Sequence, residues 1–353
     1  MRKINFLSLG FIFAGCFLGA GFLSGNELKQ FFGNFGWLGI LGCIISVATI
    51  CAFGFMIISI SKHKNSEKLE DIILPFLSPI IGNLLAVLQT VLVFAIIVIM
   101  TSGAATLLQQ IIGIDRTVAA LIFSVILAVV TMLGISGISA FFSVLVPLIA
   151  VFSLGISIFV CVKNGLPNIA VGTPDETNPL LSHWLLASIS YLSYSVFSSV
   201  GIISPLAKNI NKKSTTVLGS ILGGVILFLI ASAILLSVFS LIQNSLGELP
   251  MLNVAFSINK VLGIIYAVLL LGGMFGAALT SMMSISNYVK VKCSKLKLLP
   301  IVVVLSILNF LGSLFGFGDL IGTVYPLFGY LGLIVLALIV VNFLLTLKIQ
   351  KNK

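Results

Sequence analysis

"FIFAGCFLGAGFLSGNELKQFF", residues 11–32, decides how the rest of the chain is read. It opens as an ordinary membrane-spanning run. It then gathers Gly15, Gly19 and Gly21, and a few residues on it writes Ser24-Gly25-Asn26-Glu27. Ser-x-x-Glu marks a helix beginning, because the hydroxyl and the carboxylate each take up a backbone N–H that the first turn leaves free. Glycine is poor inside a helix and permissive outside one. The segment from Ile4 to Phe32 is also long for one straight crossing at about 1.5 Å per residue. The stretch therefore predicts two half-helices, with unwound backbone around Gly19-Ala20-Gly21 and a second helix capped by Ser24 and Glu27.

The 353-residue chain is 59% hydrophobic and only 8% charged, with a mean hydropathy of +1.26. A soluble domain carries roughly 25% charged residues, so this composition predicts an all-α integral membrane protein. The apolar runs are too long for the alternating strands of a barrel. The net charge of +10 does not point to nucleic acid, because the basic residues sit at the ends of apolar runs. Cys16, Cys43, Cys51, Cys161 and Cys293 have no paired or metal-like spacing, so neither a disulfide nor a metal centre is expected. The opening "MRKINFLSLGFIFAGC" imitates a lipoprotein signal, but another apolar segment follows at once where a polar mature domain should begin.

Ten apolar segments are bounded by polar turns: about 4–32, 36–60, 78–110, 117–134, 138–162, 183–206, 214–241, 257–288, 299–315 and 319–347. Fifteen of the nineteen Lys and Arg residues fall on one side of the alternation that ten crossings impose. The positive-inside rule then places both termini in the cytoplasm of a multi-pass cell-membrane protein. Two longer outer loops, 163–182 and 242–256, read as ordered or partly ordered caps. No G-x-x-x-x-G-K-[ST] motif or acidic phosphorylation loop is present, which argues against an ATP-driven pump within this sequence.

The chain reads as a single transport domain of residues 1–353, in which the 163–182 loop separates pseudo-repeats of about 4–162 and 183–347. Five spans per half force the second half to enter from the opposite side, so a shared fold would be an inverted repeat. Secondary transporters use that plan, with a midplane site formed by broken helices in corresponding positions. The first span of the second half, "HWLLASISYLSYSVFSSVGIISPLAKNI", is rich in serine and punctuated by Gly201 and Pro205. Both span one and span six are thus expected to be discontinuous. Taken singly, Gly15-x-x-x-Gly19 and the serines are also what close helix packing looks like. Their occurrence in the first span of each half favours the broken-helix reading.

A zwitterion fits such a pair of breaks. N–H groups near Phe22, Ser24 and Gly25 would take a carboxylate. Carbonyls between Ser193 and Phe197 would take an ammonium. Tyr191, Tyr194 and Phe197 fall on nearly one face, with Ser195 and Ser198 beside them, and could wall the pocket. In span eight Ala277, Thr280, Ser281 and Ser284 share a face and offer hard oxygens to a small cation; small-residue packing is the competing account. Glu27 is the carboxylate within an apolar segment. Proton coupling and the capping role both explain it. His183 belongs at the outer mouth of span six. Gln89 either bonds across helices or faces the pocket.

The motif "AGCFLGAGFLSGNELKQFF" resembles the first span of the YkvI-like bacterial membrane proteins, which are grouped with amino-acid permeases. The likeness extends over the ten-span layout and, more distantly, to the amino acid–polyamine–organocation superfamily with its LeuT-type five-plus-five fold. The resemblance implies a sodium site built from the Gly15 and Leu18 carbonyls, the Ala277 carbonyl, and the Thr280 and Ser281 hydroxyls. A second sodium site would need an asparagine where this chain has Phe22, and is not expected. The expected function is alternating-access secondary transport of a small, zwitterionic solute such as an amino acid, with Na⁺ as the coupling ion and H⁺ as the alternative. No other cofactor is expected. The lipid bilayer and the solute are the expected partners, with no nucleic acid. A sensor that binds without moving its solute is the chief rival. A channel lacks a filter sequence. An enzyme lacks a nucleophile with its base.

Overall fold

A computed structural model describes residues 4–66, 69–73, 79–134, 138–165, 167, 169, 178–240, 247–292 and 296–351. Among them the regular structure is entirely helical. In chain order the helices are α1 (Phe6–Phe17), α2 (Ala20–Ser24), α3 (Asn26–Phe31), α4 (Gly36–Lys64), α5 (Leu69–Ile73), α6 (Pro79–Ile112) and α7 (Arg116–Leu133). They continue with α8 (Ile138–Asn164), α9 (Trp184–Ile203), α10 (Lys213–Ser240), α11 (Pro250–Ile258), α12 (Lys260–Lys292), α13 (Leu298–Gly312) and α14 (Phe317–Lys351). Eight runs among the described residues are long and apolar enough to cross a membrane. Two of the ten expected segments fall short as single helices. The first is divided among α1, α2 and α3, and the ninth is the 15-residue α13, about 22 Å long. The chain is a multi-pass membrane protein, and the exposed apolar side chains of α7, such as Leu121, Val125 and Val129, are those a lipid-facing helix needs.

Two packed groups organise the helices. In one, α1 lies along α10, and α4 lies along both α9 and α10. In the other, α6 packs on α12 and α7, and α13 on α7 and α6. α8 and α14 bridge them, α8 against α10, α1 and α12, and α14 against α9, α4 and α6. Small residues permit the close α1–α10 approach. A methyl on Gly219 would sit 2.5 Å from Leu9, and one on Gly223 would sit 2.6 Å from Phe13.

The first span is interrupted twice. Leu18 leaves the helical region, and the Gly19 N–H turns back onto the Phe17 carbonyl at 2.9 Å. Gly25 then adopts φ +83, ending α2 and starting α3 at a new angle. Ile234 and Val238 lie 3.0 and 3.2 Å from where a side chain on Gly25 would begin, so sterics and backbone both require glycine.

The expected break in span six is not there. α9 runs unbroken from Trp184 to Ile203 and passes into a 3₁₀ turn, Ser204–Asn209, where Pro205 falls. Most of the serines that suggested an unwound stretch bond back to their own helix instead, while Ser190 donates to the Pro326 carbonyl of α14. Ser193 donates to the Ile189 carbonyl at 2.6 Å, Ser198 to Ser195 at 3.0 Å, and Ser199 to Val196 at 2.9 Å. A serine spent in this way tolerates a helix rather than breaking one. Half of the expected 163–182 loop lies outside the described residues, and a 3₁₀ turn, Pro179–Leu181, forms near its end. The 242–256 loop contains most of α11.

Candidate functional site

A cavity of about 950 Å³ opens among the first span, α6, α8, α9, α12 and α14. At its deep end stand Glu27, Tyr194, Tyr325 and Met100. From there it follows α9 past Ser195, Ser198 and Ile202 to Leu206, Asn209 and Ile4, at the end of the molecule where α1 begins. In the other direction along α9 the path is filled. Phe31, Phe32 and Tyr191 are buried, with Tyr191 at 4.9 Å from Phe32 and Tyr194 at 5.7 Å from Phe31, centroid to centroid. Polar ties hold the same end together. Asn26 donates to the Glu248 carbonyl at 3.0 Å, Thr106 to the Glu248 carboxylate at 3.2 Å, and Gln30 to Asn26 at 2.8 Å. The cavity is thus open toward the N-terminal end and shut toward α3.

Glu27 does not close a capping box. Its carboxylate turns into the protein, where the Tyr194 hydroxyl donates to Oε1. The Asn26 N–H falls to the Ser24 hydroxyl at 3.3 Å, and that hydroxyl itself donates to the Gly21 carbonyl at 3.1 Å. The reason is local. Gly25, not Ser24, is the N-cap of α3, and Ser24 ends α2, so Ser24 and Glu27 do not bracket one first turn. Gly21 makes room for the carboxylate, since a methyl there would lie 2.6 Å from Glu27 Oε2. Glu27 is only 4% exposed and is the one charged side chain among the described residues of the cavity wall, a position costly in a membrane unless something offsets the charge. Tyr194 stacks on Tyr325 at 4.5 Å with planes 7° apart, so the carboxylate's donor is held by aromatic packing as well.

Of the residues expected to hold a solute, Gly19, Tyr194, Ser195 and Ser198 line the cavity, and Glu27 joins them. Phe22, Tyr191 and Phe197 are buried in the packed core instead. Gly21 and Ser24 shape the bend, and Ala20 opens α2. Of the expected cation ligands, Gly15, Ala277, Thr280 and Ser281 line the cavity, while Leu18 is buried beside it. The Gly15 carbonyl loses its usual helical donor, because Gly19 N–H goes to Phe17. Thr280 donates to the Gly276 carbonyl at 2.7 Å, which leaves the lone pairs of its oxygen to accept. Packing also claims Gly15, whose added methyl would meet Phe142 at 3.0 Å.

Gln89 resolves toward a cross-helix role, donating to the Phe197 carbonyl at 3.0 Å. His183 caps α9 through Nδ1, which accepts from the Leu185 N–H at 3.3 Å. Sequence reasoning missed Val93, Ile96 and Met100 of α6, Phe142 and Ser143 of α8, and Tyr325. Only Tyr325 carried a signal, a Tyr-Pro pair inside an apolar span. The α6 residues read as plain core.

No family model matches the chain. It is 26% identical over 325 residues to the "Uncharacterized membrane protein YkvI" of Bacillus subtilis (strain 168), covering 92% of each chain. The resemblance carried by the first span therefore extends over 92% of the chain. Among solved structures, the fold matches that of MhsT, determined in complex with L-phenylalanine, at a TM-score of 0.69 and 14% identity, over 95% of this chain and 89% of that one. It matches the Eremococcus coleocola manganese transporter, determined with an aromatic bis-isothiourea substituted compound, at a TM-score of 0.66 and 16% identity, over 96% and 78%. The chain therefore shares its fold with these solved transporters.

Proposed function

We propose that the protein is a secondary transporter that moves a small zwitterionic solute, an amino acid or a close relative, by alternating access. One observation carries this: a cavity runs from the end bearing the N-terminus to the interruption of the first span and stops at a plug of aromatic rings. That is the shape of an inward-facing transporter if the termini are cytoplasmic, as the distribution of Lys and Arg indicates. Five-plus-five inverted symmetry, with ten crossings when the divided first span and α13 are counted, is supported by the neighbour pattern. α1 pairs with α10 as α9 pairs with α4, and α8 meets α10 and α1 as α14 meets α4 and α9. The discontinuity is kept in the first span alone.

The cation arrangement supports Na⁺ coupling. Gly15, Ala277, Thr280 and Ser281 face one cavity from two helices, with a carbonyl freed and a hydroxyl turned to accept. A specific observation favours H⁺ as a second reading: the lone wall carboxylate, Glu27, is buried. Uptake of labelled amino acids into proteoliposomes under an inward Na⁺ gradient, an inward H⁺ gradient or neither tests both. Accumulation that requires Na⁺ and is abolished by Thr280→Ala is the expected result. Accumulation driven by H⁺ alone replaces Na⁺ with H⁺. Binding without accumulation under any gradient makes the protein a sensor.

A further inference from the structure

We infer that Glu27 receives the cationic amine of the solute, so the protein selects amine-bearing molecules and rejects anions and N-acylated derivatives. The inference rests on the solute-transporter reading of the same cavity and narrows its substrate class.

The unbroken α9 forces the question. The carbonyls between Ser193 and Phe197, which a broken helix would have offered to an ammonium, are occupied. Those of Ser195 and Val196 accept from Ser198 and Ser199, and that of Phe197 accepts from Gln89. An ammonium entering the cavity needs another acceptor. Among the described residues the wall supplies one carboxylate and no basic side chain. A solute with net negative charge would meet an acid with no basic side chain among the described wall residues beside it, whereas an ammonium neutralises Glu27 as it binds.

The surroundings fit an ammonium carried on an apolar skeleton. Tyr194 and Tyr325 present stacked rings beside the carboxylate, and aromatic faces attract cations. Val93, Ile96 and Met100 make part of the same wall apolar. Gly21 leaves room beside Oε2, where an added methyl would lie 2.6 Å away. The arrangement also links binding to the closed end. Tyr194 donates to Glu27 and packs on Phe31 and Tyr191 of the plug, so an ammonium that takes over the carboxylate loosens the tyrosine the plug rests on.

The test is isothermal titration of the full-length protein in lipid nanodiscs with four molecules of one skeleton: L-phenylalanine, phenethylamine, N-acetyl-L-phenylalanine and 3-phenylpropanoate. The first two are expected to bind and the last two not. Glu27→Gln is expected to weaken binding of the first two by about 30-fold or more, the scale of losing one partner from a buried charge pair. Glu27→Asp should recover part of it. Equal binding of the acetylated or amine-free molecule overturns the inference, as does failure of both amines to bind at millimolar concentration. The four-molecule comparison on the unaltered protein holds even if Glu27→Gln does not fold. Glu27→Gln that binds amines normally but loses H⁺-driven accumulation puts a proton at Glu27 instead, and also overturns it. Glu27-dependent binding without uptake leaves the inference standing and removes transport. Uptake indifferent to Glu27→Gln does the reverse.

Discussion

The first span and α9 both announced a break, and only one of them breaks. The first span is divided at Leu18–Gly19 and again at Gly25. α9 carries more polar residues yet runs unbroken from Trp184 to Ile203. The difference lies in where each residue type finds its partner. Glycine adds no side-chain bond that could hold the backbone in a helix, and at Gly25 it reaches a φ of +83 that other residues avoid. Serine brings a donor that closes on the helix's own carbonyls, as Ser193 does on Ile189. In a membrane, where stray polar groups are costly, that self-satisfaction keeps α9 intact. Polarity of a span is therefore a weak sign of unwinding, and closely spaced glycine is a better one.

Substitutions can break or sharpen this contrast. The largest effect is expected at Gly25. A valine there meets a forbidden backbone region, costing about 1–2 kcal/mol, and crowds Ile234 and Val238, costing about 1–3 kcal/mol more. Gly25→Val should sharply shorten the half-life of the folded protein in detergent at fixed temperature. An unchanged half-life would mean that the bend does not depend on this residue. Tyr194→Phe comes next. It removes the donor from a buried carboxylate and should cost about 1–3 kcal/mol, read as a lower unfolding temperature. If added amine ligand restores that temperature, the loss is traced to Glu27. Gln89→Leu should cost about 1 kcal/mol, because the Phe197 carbonyl keeps its place in α9 and loses only an added donor.

Much of the fold was legible in the sequence because apolar length and charge alternation record the bilayer directly. The segments from α4 to α10, α12 and α14 match expectation within a few residues. The site was legible wherever a residue's role depended on its own neighbours in sequence. Gly19 sits at the break, and Thr280 and Ser281 share a cavity-facing surface. It was illegible where a role depended on a distant partner. Glu27 looked like a cap because Ser24 stands three residues before it, and nothing nearby reveals Tyr194, 167 residues away. Tyr191 and Phe197 had the right spacing to wall a pocket, yet Phe31, Phe32 and Gln89 draw them into packing. Met100 and Ile96 were hidden for the opposite reason: an apolar residue on a cavity wall looks the same in sequence as one in the core.

The smallest expected effect tests the contrast most directly. Ser193 is fully buried, lies in the middle of α9, and was part of the pattern that suggested a break. If α9 were unwound in the working protein, its hydroxyl would serve a neighbouring helix or the solute, and Ser193→Ala would leave a buried group without its partner, at about 1–3 kcal/mol. In the unbroken helix the hydroxyl serves only Ile189, and that carbonyl keeps its backbone donor when the hydroxyl is gone. Alanine is also the better helix former. Ser193→Ala should therefore change the unfolding temperature and amine affinity by no more than a surface substitution does, within about 0.5 kcal/mol. A larger loss would mean that α9 opens at Ser193 in the working protein, and that its carbonyls compete with Glu27 for the proposed ammonium.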